Sequence, residues 1–255
     1  MIILYILAGL LALVLLYILF LFICALAVDP HKEYEDHSRF YRRLLNGATA
    51  AGMKLLRIHV HVTGLDKIPS DRKPVFVCNH RSNFDPIVTW YALKKWDIAF
   101  ISKASNFKIP IFGRLIRKCC FMAIDRENPR NAIKTIQKAA GPLRKGEVSV
   151  GVYPEGTRSK TGELLPFHNG VFKIAQKAQA PVVVLSISGT EKIHKNYPFR
   201  ASHVYLDVVE VMDAEEIVHK KTEDIGGAAR TAIADRLKKI EQKEEKENGK
   251  SVCSL

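Results

Sequence analysis

No side chain between Met1 and Val28 carries a charge, and the segment is dominated by Leu, Ile, Ala, Val and Phe. A stretch of that composition belongs in lipid. As a helix it would be about 42 Å long at 1.5 Å per residue, against a hydrocarbon core of roughly 30 Å, so it can span a bilayer with tilt. A cleaved leader is the rival reading, because Ala25-Leu26-Ala27 has a small-x-small pattern. No Lys or Arg precedes the apolar run, however, and the run exceeds the usual leader length, so residues 1–28 are expected to be a retained anchor. Six basic residues follow between positions 32 and 57 (Lys32, Arg39, Arg42, Arg43, Lys54 and Arg57). The positive-inside tendency then puts the rest of the chain on the cytoplasmic side, at a bacterial plasma membrane or its equivalent.

Asp29-Pro30 can stop the first helix and start a second, with Asp as N-cap and Pro in the first turn. Over residues 29–55, Phe40, Tyr41, Leu44, Leu45 and Ala48 fall on one helical stripe with arginines beside it. That pattern suits an interfacial helix. The same periodicity describes a helix packed on a globular domain.

From residue 56 to 212 the chain alternates short β-rich runs with helical stretches. Strands are expected at 56–62, 74–78, 98–102, 119–124, 148–153, 181–187 and 203–211, and helices at 87–95, 111–118, 131–143 and 171–177. This alternation implies one α/β domain built on a mixed sheet, with functional groups at strand ends. Residues 213–255 are expected to form a charged helix running into a flexible tail. The five cysteines (24, 78, 119, 120 and 253) are odd in number and form no CxxC, which argues against disulfides and a structural zinc. His59 and His61 could share a strand face, but no further ligand cluster accompanies them, so no metal is expected.

The chain holds 39 Lys and Arg against 26 Asp and Glu, a formal net charge of +13. The excess is concentrated before residue 213, above all at 94–126, where Lys94, Lys95, Lys103, Lys108, Arg114, Arg117, Lys118 and Arg126 face only Asp97 and Asp125. An anionic partner is expected there. Interleaved Phe107, Ile109, Ile111, Phe112, Leu115 and Ile116 favour a lipid surface, and no recognised reading motif supports nucleic acid.

A His followed five residues later by Asp occurs four times, at His31/Asp36, His61/Asp66, His80/Asp85 and His219/Asp224. Spacing alone therefore identifies nothing. Only His80 follows a buried-type strand, Val75-Phe76-Val77-Cys78, and precedes a helix start at Asp85-Pro86. A strand end feeding a helix N-terminus is where open α/β sheets place their sites. There a carboxylate on Nδ1 would orient the ring and leave Nε2 free to take a proton from an alcohol. The bland alternative is that Asp85 merely caps its helix. No G-x-S-x-G elbow and no H-E-x-x-H is present, so a His/Asp pair points to direct attack by a substrate hydroxyl.

A second β-run ends abruptly in Tyr153-Pro154-Glu155-Gly156-Thr157-Arg158-Ser159. Gly156 permits a tight turn, Thr157 and Ser159 offer hydroxyls, and Arg158 offers a fork suited to a phosphate. An ordinary turn with a Glu155–Arg158 pair would read the same way.

Taken together, Asn79-His80-Arg81-Ser82-Asn83-Phe84-Asp85, Lys103 with Pro110-Ile111-Phe112-Gly113-Arg114, Phe121-Met122-Ala123-Ile124-Asp125-Arg126, the 153–159 block and Ala180-Pro181-Val182-Val183-Val184 resemble the 1-acylglycerol-3-phosphate acyltransferases in order and spacing. The likeness spans about residues 57–210, with Tyr153 standing where Phe is common. It implies a glycerolipid acyltransferase-like domain that moves a fatty acyl group from acyl-CoA or acyl carrier protein to lysophosphatidic acid, giving phosphatidic acid without a cofactor. On that resemblance His80 is the general base and Asp85 its orienter. Lys103, Arg126, Glu155, Gly156, Thr157 and Arg158 would belong to the phosphate site. Glycerol 3-phosphate or another lysophospholipid as acceptor, and a non-catalytic phospholipid-binding module, are the alternatives.

Overall fold

Val75, Val77, Val150, Val152, Val182 and Val184 all point to one side of a sheet, while Phe76, Cys78, Val183, Leu185 and Ile187 point to the other. Strands apolar on both faces must be covered on both faces, and the chain does this with two layers of helices. The structure, a computed structural model, describes the backbone of residues 1–252 and the side chains of residues 1–242.

The seven strands are β1 (Ile58–Thr63), β2 (Val75–Cys78), β3 (Ile98–Lys103), β4 (Met122–Ile124), β5 (Ser149–Val152), β6 (Val182–Ser188) and β7 (Ser202–Met212). They form one sheet in the order β1-β7-β6-β2-β5-β3-β4. β6, β2, β5, β3 and β4 run parallel, and β7 is antiparallel to β6 but parallel to β1. Each β-run expected from the sequence overlaps one of these strands.

The helices are α1 (Ile2–Leu26), α2 (Arg39–Leu55), α3 (Asp85–Ala92), α4 (Phe112–Arg117), α5 (Pro129–Arg144), α6 (Lys173–Ala178), α7 (Ile193–Asn196), α8 (Ala214–His219) and α9 (Thr222–Val252). α2, α3 and α4 cover one face, and α5, α6, α8 and α9 the other. α5 starts where Asn128 accepts from the amides of Arg130 and Asn131, with Pro129 in the first turn, a combination that satisfies orphan donors and presets φ.

Three expectations change on inspection. The stripe of α2 faces the domain: Tyr41 and Leu45 are buried in the core, and the Arg42 guanidinium lies over Trp90 and donates to the Ile98 and Cys119 carbonyls. A helical apolar stripe has the same period whether protein or lipid covers it, and here protein does. The charged helix expected from residue 213 has a core face as well, because α9 buries Ile225, Ala229, Ile233 and Leu237 against the sheet. The flexible tail expected beyond residue 241, with Cys253, falls outside the residues whose side chains are described. Asp85, finally, caps no helix N-terminus with its side chain, since the α3 N-cap is Phe84.

α1 is long and apolar enough to cross a membrane, and none of its most apolar window is buried by protein. Its end is fastened to the domain. Arg114 donates to the carbonyls of Ala25 (3.3 Å) and Val28 (3.2 Å), Tyr41 Oη donates to the Cys24 carbonyl (2.9 Å), and Val28 is buried.

Candidate active site

The five parallel strands end on one edge of the sheet, and the singled-out residues lie there in strand order. His80 follows β2, residues 155–158 follow β5, Lys103 ends β3, and Arg126 follows β4. Strands repeat at about 4.8 Å, so the three steps from β2 to β4 set the backbones of His80 and Arg126 roughly 14 Å apart, a gap that long side chains on both sides can narrow.

His80 Nδ1 lies 2.8 Å from Asp85 Oδ2. The same oxygen accepts from the amides of Arg81 (2.6 Å) and Ser82 (2.7 Å), and Oδ1 accepts from the hydroxyl of Thr190. Asp85 is fully buried and carries four hydrogen bonds, so its carboxylate is fixed in place and matched to an Nδ1–H tautomer of His80. With Nδ1 occupied, Nε2 is the nitrogen left for chemistry. Asn79 ties this turn to β6 by a reciprocal pair, donating to the Ile187 carbonyl (2.9 Å) and accepting from its amide (2.8 Å).

The loop after β5 is built around the same histidine. The Ser159 amide donates to the His80 carbonyl (2.9 Å), and the His80 amide donates to Glu155 Oε1 (2.6 Å). Glu155 Oε2 accepts from the Leu165 amide (3.0 Å). Burial pushes the Glu155 carboxyl above the usual range, while these two amide bonds oppose the shift. The geometry corrects the expectation that placed Glu155 among phosphate-binding groups. Both of its oxygens face backbone donors in a buried position, and a carboxylate repels an anion, so Glu155 holds the loop and not a ligand. Gly156 takes φ +68°, and a Cβ there would sit 2.9 Å from Cδ2 of His168. Thr157 and Arg158 are exposed two and one residues before Ser159, and their amides find no acceptor among the described residues.

Tyr153 joins the dyad to a cavity. Its ring lies 4.5 Å from the His80 ring and its hydroxyl donates to Thr89 (3.2 Å). Burial pushes the Tyr153 phenol well up, which keeps it protonated. The cavity, about 610 Å³, is walled by Tyr153 and Gly156 and extends between apolar groups such as Ile101, Ile133, Ile136 and Phe167. Arg126 is one of its few charged lining residues, and burial lowers the guanidinium pKa. No carboxylate or carbonyl pairs with it among the described residues. Lys103, at the end of β3, is exposed, as is Arg126.

His168 and Thr190 contribute to the site without having been singled out by sequence, and Tyr153, noted there only as standing where Phe is common, contributes its ring. His168 packs on Gly156 from 12 residues further on, and Thr190 reaches Asp85 across 105 residues. His59, His61 and His203 stack on the exposed face of β1 and β7, with His61 Nε2 3.0 Å from His203 Nδ1.

A family model described as Acyltransferase matches residues 59–188, just over half of the chain, and its span takes in both the His80 turn and the loop after β5. The chain is 36% identical over 121 residues to a 1-acyl-sn-glycerol-3-phosphate acyltransferase of Cocos nucifera, a match covering 48% of this chain and 39% of that relative. It is 26% identical over 187 residues to the Haemophilus influenzae protein of the same name, covering 71% and 77%. The chain thus spans less than two fifths of the length of the coconut relative. Among solved structures, the 1-acyl-sn-glycerophosphate (LPA) acyltransferase PlsC from Thermotoga maritima superposes with a TM-score of 0.68 at 24% identity, covering 89% of each chain, so the two share a fold. With its family model laid over the dyad and the loop that frames it, the chain belongs to the acyltransferase family.

Proposed function

We propose that this protein transfers a fatty acyl group from a thioester, acyl-CoA or acyl carrier protein, to the free hydroxyl of lysophosphatidic acid, forming phosphatidic acid at a membrane. The observation that carries the reading is the His80–Asp85 contact of 2.8 Å standing beside an apolar cavity lined by Arg126, which forms no ion pair among the described residues.

The thioester is already activated, so the protein need not form a covalent intermediate. His80 Nε2 removes the proton as the acceptor oxygen attacks the thioester carbonyl, and Asp85 stabilises the imidazolium that results. The tetrahedral intermediate collapses with expulsion of the thiolate, which takes up the proton. Positioned acid/base catalysis of this kind is typically worth about 10²–10⁴-fold. The free amides of Thr157 and Arg158 are donors within the loop that frames His80, suited to an oxyanion or a phosphate oxygen. Arg126, Lys103 and Arg158 lie along the same edge and would hold the acceptor phosphate, which turns the attack into an effectively intramolecular step.

The apolar cavity suits an acyl chain. Its volume falls in the range of about 300–1,000 Å³ usual for ligand sites, and each methylene buried there contributes about 0.8 kcal/mol. α1 would keep the enzyme where its amphiphilic acceptor and product reside, with the domain on the cytoplasmic side according to the basic residues that follow α1. The names of the relatives support the choice of acceptor.

Purified protein given labelled oleoyl-CoA or oleoyl acyl carrier protein, with lysophosphatidic acid or glycerol 3-phosphate, tests the reading. Labelled phosphatidic acid is expected. Free oleate would mean a hydrolase, product only from glycerol 3-phosphate would move the acceptor, and no turnover with either donor would leave a lipid-binding module.

A further inference from the structure

The sheet edge that carries His80 is flanked at both ends by apolar and basic surface. At the β3–β4 end stand α1 and the segment after β3, where Ile109 and Phe112 are exposed beside Lys108. At the other end, residues before β1 and between β6 and β7 form a second such surface. Phe199 is 88% exposed, Leu55 70% and Tyr197 43%. These are large apolar groups left in water beside one another, since Arg57 Nη1 donates to the Phe199 carbonyl (3.3 Å) and the Ser202 amide donates to the Arg57 carbonyl (3.0 Å). The loop is braced from within: Asn196 Nδ2 donates to the Ala201 carbonyl (3.3 Å) and to Ser202 Oγ (3.1 Å), and the Arg200 amide donates to the Asn196 carbonyl (2.7 Å). Phe199 is therefore held outward by a hydrogen-bonded loop.

The surround has one sign of charge. Lys54, Arg57, Lys195 and Arg200 are all exposed, and neither 52–61 nor 192–206 contains an Asp or Glu. Aromatic and aliphatic side chains ringed by cations suit the headgroup layer of an acidic membrane, where rings sit among the glycerol groups and lysines meet phosphates. A protein partner with an acidic apolar face would satisfy the same charges, but the position of the patch favours lipid. β1 lies three strands from β2 and β4 three strands on the opposite side, so this patch and the anchor end straddle His80 at about 14 Å each along the edge. Two contacts at the ends of a row fix the line of that row against the membrane.

We propose that Leu55, Tyr197 and Phe199, with Lys54, Arg57, Lys195 and Arg200, form a second membrane contact that docks on an acidic phospholipid bilayer and turns the His80 edge of the sheet toward the headgroups. α1 holds one end of this edge at the membrane, and the second contact holds the other end against the headgroups.

Full-length Phe199→Trp protein, reconstituted with vesicles of brominated phosphatidylcholine and phosphatidylglycerol in equal parts, tests this without turnover, so its result is independent of the acyl-transfer reading. After subtraction of the parent protein's Trp90 and Trp96 signal, the emission added at 199 should shift to the blue and be quenched. It should be less quenched in vesicles of brominated phosphatidylcholine alone, and Lys195→Gln/Arg200→Gln in the same background should remove that difference. Emission at 199 that stays water-like and unquenched while α1 holds the protein on the vesicles would overturn the proposal, as would equal quenching in the two lipids. Self-association through the patch, seen as a sedimentation shift abolished by Phe199→Ser with 199 unquenched in the Trp variant, would assign it to a second copy and overturn it as well.

Discussion

The hydroxyl of Thr190 donates to Oδ1 of Asp85 while His80 Nδ1 faces Oδ2, so the carboxylate is gripped on both oxygens by groups from two different strand ends. Thr190 touches nothing that reacts, yet it sets the angle at which Asp85 meets the imidazole. It is a positioning residue. A hydrogen bond to a charged group contributes about 1.5–3 kcal/mol, which corresponds to roughly 10- to 100-fold in rate. Thr190→Val keeps the shape and removes the donor, so kcat should fall within that range with the acceptor KM unchanged. Thr190→Ser should restore most of it. A Val variant with normal kcat would show that Asp85 needs no second anchor.

Asp85→Asn presents a sharper case. The carboxylate accepts from His80, Arg81, Ser82 and Thr190, whereas an amide offers one oxygen and turns two N–H groups toward donors. The imidazole then loses the partner that stabilises its charge. Loss of kcat by about 10²–10⁴-fold is expected, matching His80→Ala, and the double variant should lose little more because the pair acts as a unit. Lysophosphatidic acid binding, measured by calorimetry on each variant, should survive. If the double variant is slower than either single one by the product of the two losses, the residues act separately.

Much of this arrangement could be read from the chain, for identifiable reasons. β2, β5 and β6 are Val-rich runs buried on both faces, and such runs announce themselves. His80 and Asp85 stand on opposite sides of one short turn, so their proximity is local. The helix after residue 213 was legible but the buried face of α9 was not, because Ile225, Ala229, Ile233 and Leu237 form a narrow line amid small and charged residues. α2 was ambiguous because an apolar stripe does not declare its partner. Glu155 resembled a ligand because its surroundings come from elsewhere in the chain: the His80 amide is 75 residues away. Thr190 and His168 gave no signal for the same reason. Contacts closed by tertiary structure leave no pattern in sequence.

Glu155 makes a pH-dependent prediction. Burial raises its folded carboxyl pKa above the ordinary value of 4.5, so the folded chain holds a proton more tightly than the unfolded one. The resulting stabilisation is fully present below about pH 4.5, where both states are protonated there, and is lost as pH rises through the folded pKa. Glu155→Gln abolishes this titration. The difference in Tm between parent and variant should therefore become less favourable to the parent as pH is raised from 4.5 and then level off. The variant also points an amide at the N–H of His80 or Leu165, an unsatisfied contact that costs about 1–3 kcal/mol and should lower kcat through His80. A Tm difference constant with pH would place the carboxyl's pKa at its unfolded value.

Arg126 and Arg158 stand on the same sheet edge in unlike surroundings, and that contrast can be measured. Both side chains are exposed, but Arg126 also lines the apolar cavity, where its surroundings lower the guanidinium pKa and it forms no ion pair among the described residues although Glu223 lines the same cavity, whereas Arg158 stands on the loop after β5. A guanidinium set against an apolar wall is partly desolvated and binds an incoming phosphate more strongly than one that water surrounds on every side. Arg126→Gln should thus raise the acceptor KM by about 10- to 100-fold, using about 1.5–3 kcal/mol for a charge-assisted bond. Arg158→Gln should raise it only a few-fold, in keeping with the weaker value of exposed ion pairs, and the effect should shrink further at high salt. Both substitutions should leave the donor KM in place. If the two arginines are instead equivalent, or if the larger loss follows Arg158, then the phosphate sits over the loop after β5, outside the cavity, and Arg126 serves the cavity wall.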